Sequence, residues 1–71
     1  MSGVLQSLVG VNLAIWRRQR GLTQEDLAAS LGFSAKYLSS VERGKRNLSL
    51  ASVERLASDI GVDPLELLRR P

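Results

Sequence analysis

The sequence predicts an all-α domain of five short helices. Three observations carry that prediction. Apolar residues recur at three- and four-residue intervals from end to end, and no stretch shows the alternation of a strand. Glycines at 21, 32, 44 and 61 break the chain into helix-sized pieces. The length, 71 residues, suits one compact domain and not two, so the whole of 1–71 is read as a single unit.

Each element follows from its own residues. In the first, Leu5, Leu8, Val9, Leu13 and Trp16 mark an inward face, with Trp16 read as core, and Val4, Val11 and Ile15 form a weaker second stripe. Arg17-Arg18-Gln19-Arg20 place cations at the negative end of the helix dipole, and Gly21 stops it. Thr23 caps the second helix through its hydroxyl, with Asp26 as a shortened capping-box acid. Leu27, Ala28 and Leu31 face inward, and Gly32 ends the helix. Ser34 caps the third, with Leu38 and Val41 inward and Gly44 beyond its end. Ser49 caps the fourth, whose inward residues are Val53, Leu56, Ala57 and Ile60. Asp63-Pro64-Leu65-Glu66 opens the fifth: Asp63 caps, Pro64 fills the first helical position, and Glu66 is expected to complete the box.

Composition narrows the function. The chain has no cysteine and no histidine, which excludes disulfides, zinc fingers, iron–sulfur sites and Ser-His-Asp or Cys-His catalysis. Binding without metal or cofactor is favoured over catalysis, and no serine and lysine form a catalytic motif. Hydrophobic residues, 44%, are too many for a disordered chain. The uncharged stretch Met1–Trp16 is too short to span a bilayer and lacks the positive start of a signal peptide, so a cytoplasmic protein with no membrane partner is expected.

Net charge is only +3, but it is unevenly spread. Residues 12–47 carry seven basic side chains against three acidic ones; residues 48–71 carry three against four. A polyanion-binding part is thereby separated from a near-neutral part suited to association.

Gly32-Phe33 joins the second and third helices by a very short turn, the layout of a helix-turn-helix over about residues 24–43. The turn calls for positive φ at glycine, and Ala28 must be small where the helices cross. Gln24, Ala28, Gly32, Leu38 and Val41 occupy the positions this motif demands.

Leu13-Ala-Ile-Trp-Arg17-Arg-Gln-Arg-Gly-Leu-Thr-Gln24-Glu-Asp-Leu-Ala28 resembles the opening of the XRE helix-turn-helix family, which includes the Cro and lambda-type phage repressors. Tyr37-Leu-Ser39-Ser-Val-Glu42-Arg43-Gly-Lys-Arg46-Asn47-Leu-Ser49-Leu resembles the controller proteins of restriction–modification systems, small dimeric transcription regulators. The resemblance spans about residues 12–68 and implies a lambda-repressor-like domain that binds double-stranded DNA. It implies that the third helix enters the major groove with Ala35, Lys36, Tyr37, Ser39 and Ser40 toward the bases. Lys36 is the best donor to guanine, and Ala35 can touch only a thymine methyl. Gln24, Arg43, Arg46 and Asn47 would hold the DNA backbone. Arg17 and Glu42 would form the family's buried pair between the first and third helices.

One recognition helix reads few base pairs, so a homodimer on a palindromic operator is expected, its two helices about 34 Å apart. The segment at about 49–69 is the expected interface. Five helices cannot easily bury Ile60, Val62, Leu65, Leu67 and Leu68 together, and Ile60, Val62, Leu65 and Leu68 are the candidates left for a partner. The Val11/Ile15 stripe ranks below them. RNA polymerase is a further candidate partner, through Glu25-Asp26 on the second helix. An antitoxin, a phage-type repressor and a helical interaction module that reads no DNA remain as alternatives, although an interaction module has no reason to cluster Lys36, Arg43, Lys45 and Arg46.

Overall fold

The computed structural model describes residues 3–71; Met1 and Ser2, at the head of the predicted domain and of the uncharged stretch, lie outside the described residues. Five helices follow in order: α1 (Val4–Gln19), α2 (Gln24–Leu31), α3 (Ala35–Glu42), α4 (Leu50–Ile60) and α5 (Pro64–Leu68). Among the described residues there is no strand. None of the helices is long and apolar enough to cross a membrane.

The predicted starts are built as expected. Thr23 Oγ accepts from the Asp26 amide while the Asp26 carboxylate accepts from the Thr23 amide, a reciprocal capping box. Those bonds hold the Asp26 carboxyl below its usual range. Ser34, Ser49 and Asp63 each accept an amide N–H in the first turn of the helix they precede. Glu66 departs from expectation: its side chain turns toward Arg69 (3.4 Å) instead of back to the cap. Pro64 lies between cap and box position, and the N–H that Asp63 satisfies is that of Leu65.

One core joins all five helices. Val9 and Leu13 from α1 meet Leu27 and Ala28 from α2, Leu38 and Val41 from α3, Val53, Leu56 and Ala57 from α4, and Leu67 from α5. Removing these side chains from water is the main force that fixes helices individually too short to be stable. The α1 stripe is not uniformly buried. Leu5 is 54% exposed at the rim of a groove it lines with Leu48 and Leu68, and Trp16 is half-buried with the Arg20 guanidinium 4.9 Å above its ring. Ile60 is likewise only half-buried.

One polar contact and one close backbone approach lock the ends of the bundle. Asn12, in the apolar stretch of α1, donates to the carbonyls of Leu67 (2.9 Å) and Arg69 (2.7 Å), so it satisfies the open end of α5. Gly10 packs against the end of α3 so closely that a Cβ there would lie 2.4 Å from the Val41 carbonyl oxygen and 2.6 Å from that of Glu42. The backbone of α1 thus sets the position of α3.

Candidate nucleic-acid interface

Three residues of irregular chain separate α2 from α3. Gly32 takes φ 74°, a left-handed conformation that glycine adopts without steric cost, and the Phe33 amide then donates back to the Ala28 carbonyl at 2.8 Å. Ala28 is fully buried at this crossing, as the motif demands.

A charged network anchors the two helices to α1. Arg17 Nε donates to Glu42 Oε2 at 2.7 Å and Nη2 to Oε1 at 3.0 Å, a two-pronged pair with side chains 10% and 5% exposed. Arg17 Nη1 donates to the Leu22 carbonyl, and Gln24 Nε2 donates to Glu42 Oε1 at 2.9 Å. Burial pushes the Glu42 carboxyl up, but the bonds from Arg17 and Gln24 and the charge of Arg17 outweigh it and hold Glu42 below its ordinary range. The same bond, against the cost of burial, raises Arg17. The pair fixes the C-terminal end of α3 relative to α1.

The predicted DNA-facing residues separate into distinct environments. Lys36 is exposed on the first turn of α3. Ala35 and Ser39 are half-buried beside it. Tyr37 is half-buried, its ring meeting Phe33 edge to face at 4.9 Å between centroids. Ser40 does not belong with them. It is 8% exposed, and its hydroxyl turns back to the Lys36 and Tyr37 carbonyls at 3.0 and 3.1 Å. A short polar side chain on the inner side of a helix is satisfied by the preceding turn, and that takes Ser40 away from any base.

The predicted backbone grips also divide. Arg43 and Arg46 are exposed just beyond α3, with Lys45 between them. Arg46 is held in place: its guanidinium lies 5.0 Å over the Tyr37 ring and its Nε is 3.3 Å from Ser40 Oγ. Asn47 Oδ1 accepts from Gln6 Nε2 at 2.6 Å, which leaves the Asn47 amide N–H groups as its outward donors. Gln24 likewise spends one amide N–H on Glu42 and keeps a second. Lys36, Arg43, Lys45 and Arg46 therefore form an exposed cationic strip along and beyond α3. Among the described residues no group of three or more acids, histidines or cysteines is placed to hold a metal ion.

The four expected interface residues do not share one environment. Leu65 is 70% exposed on α5, while Ile60, Val62 and Leu68 are partly buried against the core. Leu68 lines a groove with Leu5, Leu48 and Leu50, whereas Val62 lines a different one with Ile15 and Trp16. Leu50, 71% exposed at the start of α4, had no signal in the sequence because a single leucine after a cap marks no periodicity.

Comparison with known proteins adds a third line of information. Residues 13–67 match the family described as helix-turn-helix, HTH_3. The uncharacterized HTH-type transcriptional regulator y4dJ of Sinorhizobium fredii is 48% identical over 64 residues, which are 90% of this chain and 83% of that protein. A crystal structure of the hypothetical transcription factor NHTF from Neisseria superposes with a TM-score of 0.82 at 34% identity, over 94% of this chain and 77% of that one. The restriction-modification controller protein C.AhdI from Aeromonas hydrophila superposes with a TM-score of 0.74 at 39% identity, over 87% of this chain and 94% of that one.

Proposed function

This chain belongs to the XRE-type helix-turn-helix family of transcriptional regulators and is related to restriction–modification controller proteins, and from that premise we propose that it is a controller-type regulator that binds a palindromic operator as a homodimer. The family is non-enzymatic. The observation that carries the proposal is the exposed strip of Lys36, Arg43, Lys45 and Arg46 along and beyond a recognition helix fixed by Arg17 and Glu42. Lys36 is assigned to a base edge, and Arg43, Arg46, Asn47 and the free N–H of Gln24 to phosphates. Ala35, Tyr37 and Ser39 border Lys36 on the same surface.

A second copy is assigned to the apolar groove of Leu5, Leu50 and Leu68, together with the exposed Leu65 of α5. Two of these leucines are more than two-thirds exposed, and the groove that holds Leu5, Leu50 and Leu68 opens beside the connection that carries Arg46 and Asn47. Ile60 and Val62, partly buried on the chain's own core as Leu68 is, do not line that groove. Regulation at a promoter, with or without polymerase contact through Glu25 and Asp26, and a cytoplasmic location belong to the same reading.

The test is titration of a labelled duplex library at rising salt, together with sedimentation of the free protein. Binding that falls steeply with salt, from a dimer at micromolar concentration, supports the reading. Salt-independent binding, or a monomer throughout, contradicts it.

A further inference from the structure

We propose that Tyr37 and Ser40 act as positioning residues for Arg46, and that their contribution to operator binding passes through that guanidinium and not through contacts of their own. This rests on the DNA-binding reading above and goes beyond it in dividing the residues around α3 into those that touch the ligand and those that aim them.

The geometry forms a stack of three layers. Phe33 supports the Tyr37 ring edge to face at 4.9 Å, and Arg46 lies over Tyr37 at 5.0 Å. Ser40 fixes the remaining freedom. Its hydroxyl, buried and committed to the Lys36 and Tyr37 carbonyls, stands 3.3 Å from Arg46 Nε. One hydroxyl hydrogen serves the two carbonyls, and an oxygen lone pair is left to accept from Nε. With Nε occupied and one face on the ring, the two Nη groups remain as the donors Arg46 offers outward.

An exposed arginine ordinarily loses considerable rotamer freedom when it grips a phosphate or a base. Arg46 follows α3 on a non-helical connection, where that loss would be largest. Ring and hydroxyl together order it before any ligand arrives, so the entropy is spent in folding and not in binding. This also accounts for a buried serine beside the core residue Val41. Serine is small enough for the inner face and still supplies an acceptor toward Arg46.

A double-mutant cycle on operator affinity tests the role, with Tyr37→Leu, Tyr37→Phe, Arg46→Ala and the Leu/Ala double variant. Tyr37→Leu should weaken binding about 5- to 30-fold, the range of a well-placed cation–π contact. Tyr37→Phe keeps the ring and should restore binding to within about twofold of wild type. In the Arg46→Ala background, Tyr37→Leu should change affinity by less than about twofold, since its target is gone. Independent of DNA, the Arg46 side-chain protons in the free protein should show an upfield ring-current shift that Tyr37→Leu removes and Tyr37→Phe retains.

Additive effects of Tyr37 and Arg46, a Phe variant as weak as the Leu variant, or Arg46 protons without a ring-current shift would each overturn the positioning role. Failure of the wild type to bind any duplex in the same titration would instead overturn the DNA-binding reading itself.

Discussion

Gly10→Ala puts the largest demand on the described packing. In the middle of an ordinary helix this change stabilises by about 1 kcal/mol, since alanine loses less backbone freedom on folding. Here the new Cβ would stand 2.4 and 2.6 Å from the carbonyl oxygens of Val41 and Glu42 and 2.9 Å from the Glu42 carbonyl carbon. The shortest contact is about 1 Å inside a van der Waals separation. All three atoms are backbone, so no flexible side chain can yield, and α1 must move away from α3. Overpacking of this kind costs about 1–3 kcal/mol, and the upper end applies where the obstacle is main chain. Net of helix propensity, the variant should lose about 2 kcal/mol. For a domain of this size the melting temperature should then fall by roughly 8–16 °C. Thermal unfolding followed by far-ultraviolet circular dichroism measures this directly. A variant as stable as wild type, or more so, would refute the close approach of the two helices. Because the same contact positions the C-terminal end of α3, operator affinity should fall even at temperatures where the variant is folded.

Other outcomes follow from the same structure. Lys36→Ala should flatten the preference among operator variants, whereas Arg43→Ala should weaken all duplexes alike and lower the salt slope by about one, both read by fluorescence anisotropy. Leu50→Asp and Leu65→Asp should each convert a dimer to a folded monomer in sedimentation, whereas Val62→Asp should act mainly on thermal stability. The folded-state pKa of Glu42 lies below its ordinary value of 4.5, so the stability it contributes is complete above that value and is lost as pH falls through the depressed one. Urea midpoints should therefore hold from neutral pH to about 5 and then decline, with Asp26 acting in the same direction. Glu42→Gln should make that acid decline shallower while costing about 3 kcal/mol at neutral pH, because Arg17 is left buried without its counter-charge.

Much of the fold was legible because its signals are local. Thr23, Ser34, Ser49 and Asp63 cap helices where the sequence places them, since each cap bond spans only two or three residues. The turn at Gly32 and the pairing of Arg17 with Glu42 were legible for different reasons: the first from a glycine spacing, the second only from family resemblance. What stayed hidden depends on which helices come together. Leu5 fits the apolar stripe of α1, yet it is exposed at the rim of the groove it lines with Leu48, Leu50 and Leu68. Ser40 reads as one more polar residue on a recognition helix, and only the rotation of α3 against the core shows that it points inward. Gly10 looks like a tolerated helix glycine until the carbonyls of α3 arrive beside it.

Selection of binding sites from a randomised duplex pool, performed with the wild-type protein at physiological salt, tests most directly whether this is a dimeric reader of palindromic DNA. An inverted repeat should be enriched, with half-site centres about 10 base pairs apart, one helical turn, to match two recognition helices related by a two-fold axis. A pool that converges on no sequence, or on a single asymmetric half-site, would contradict the account.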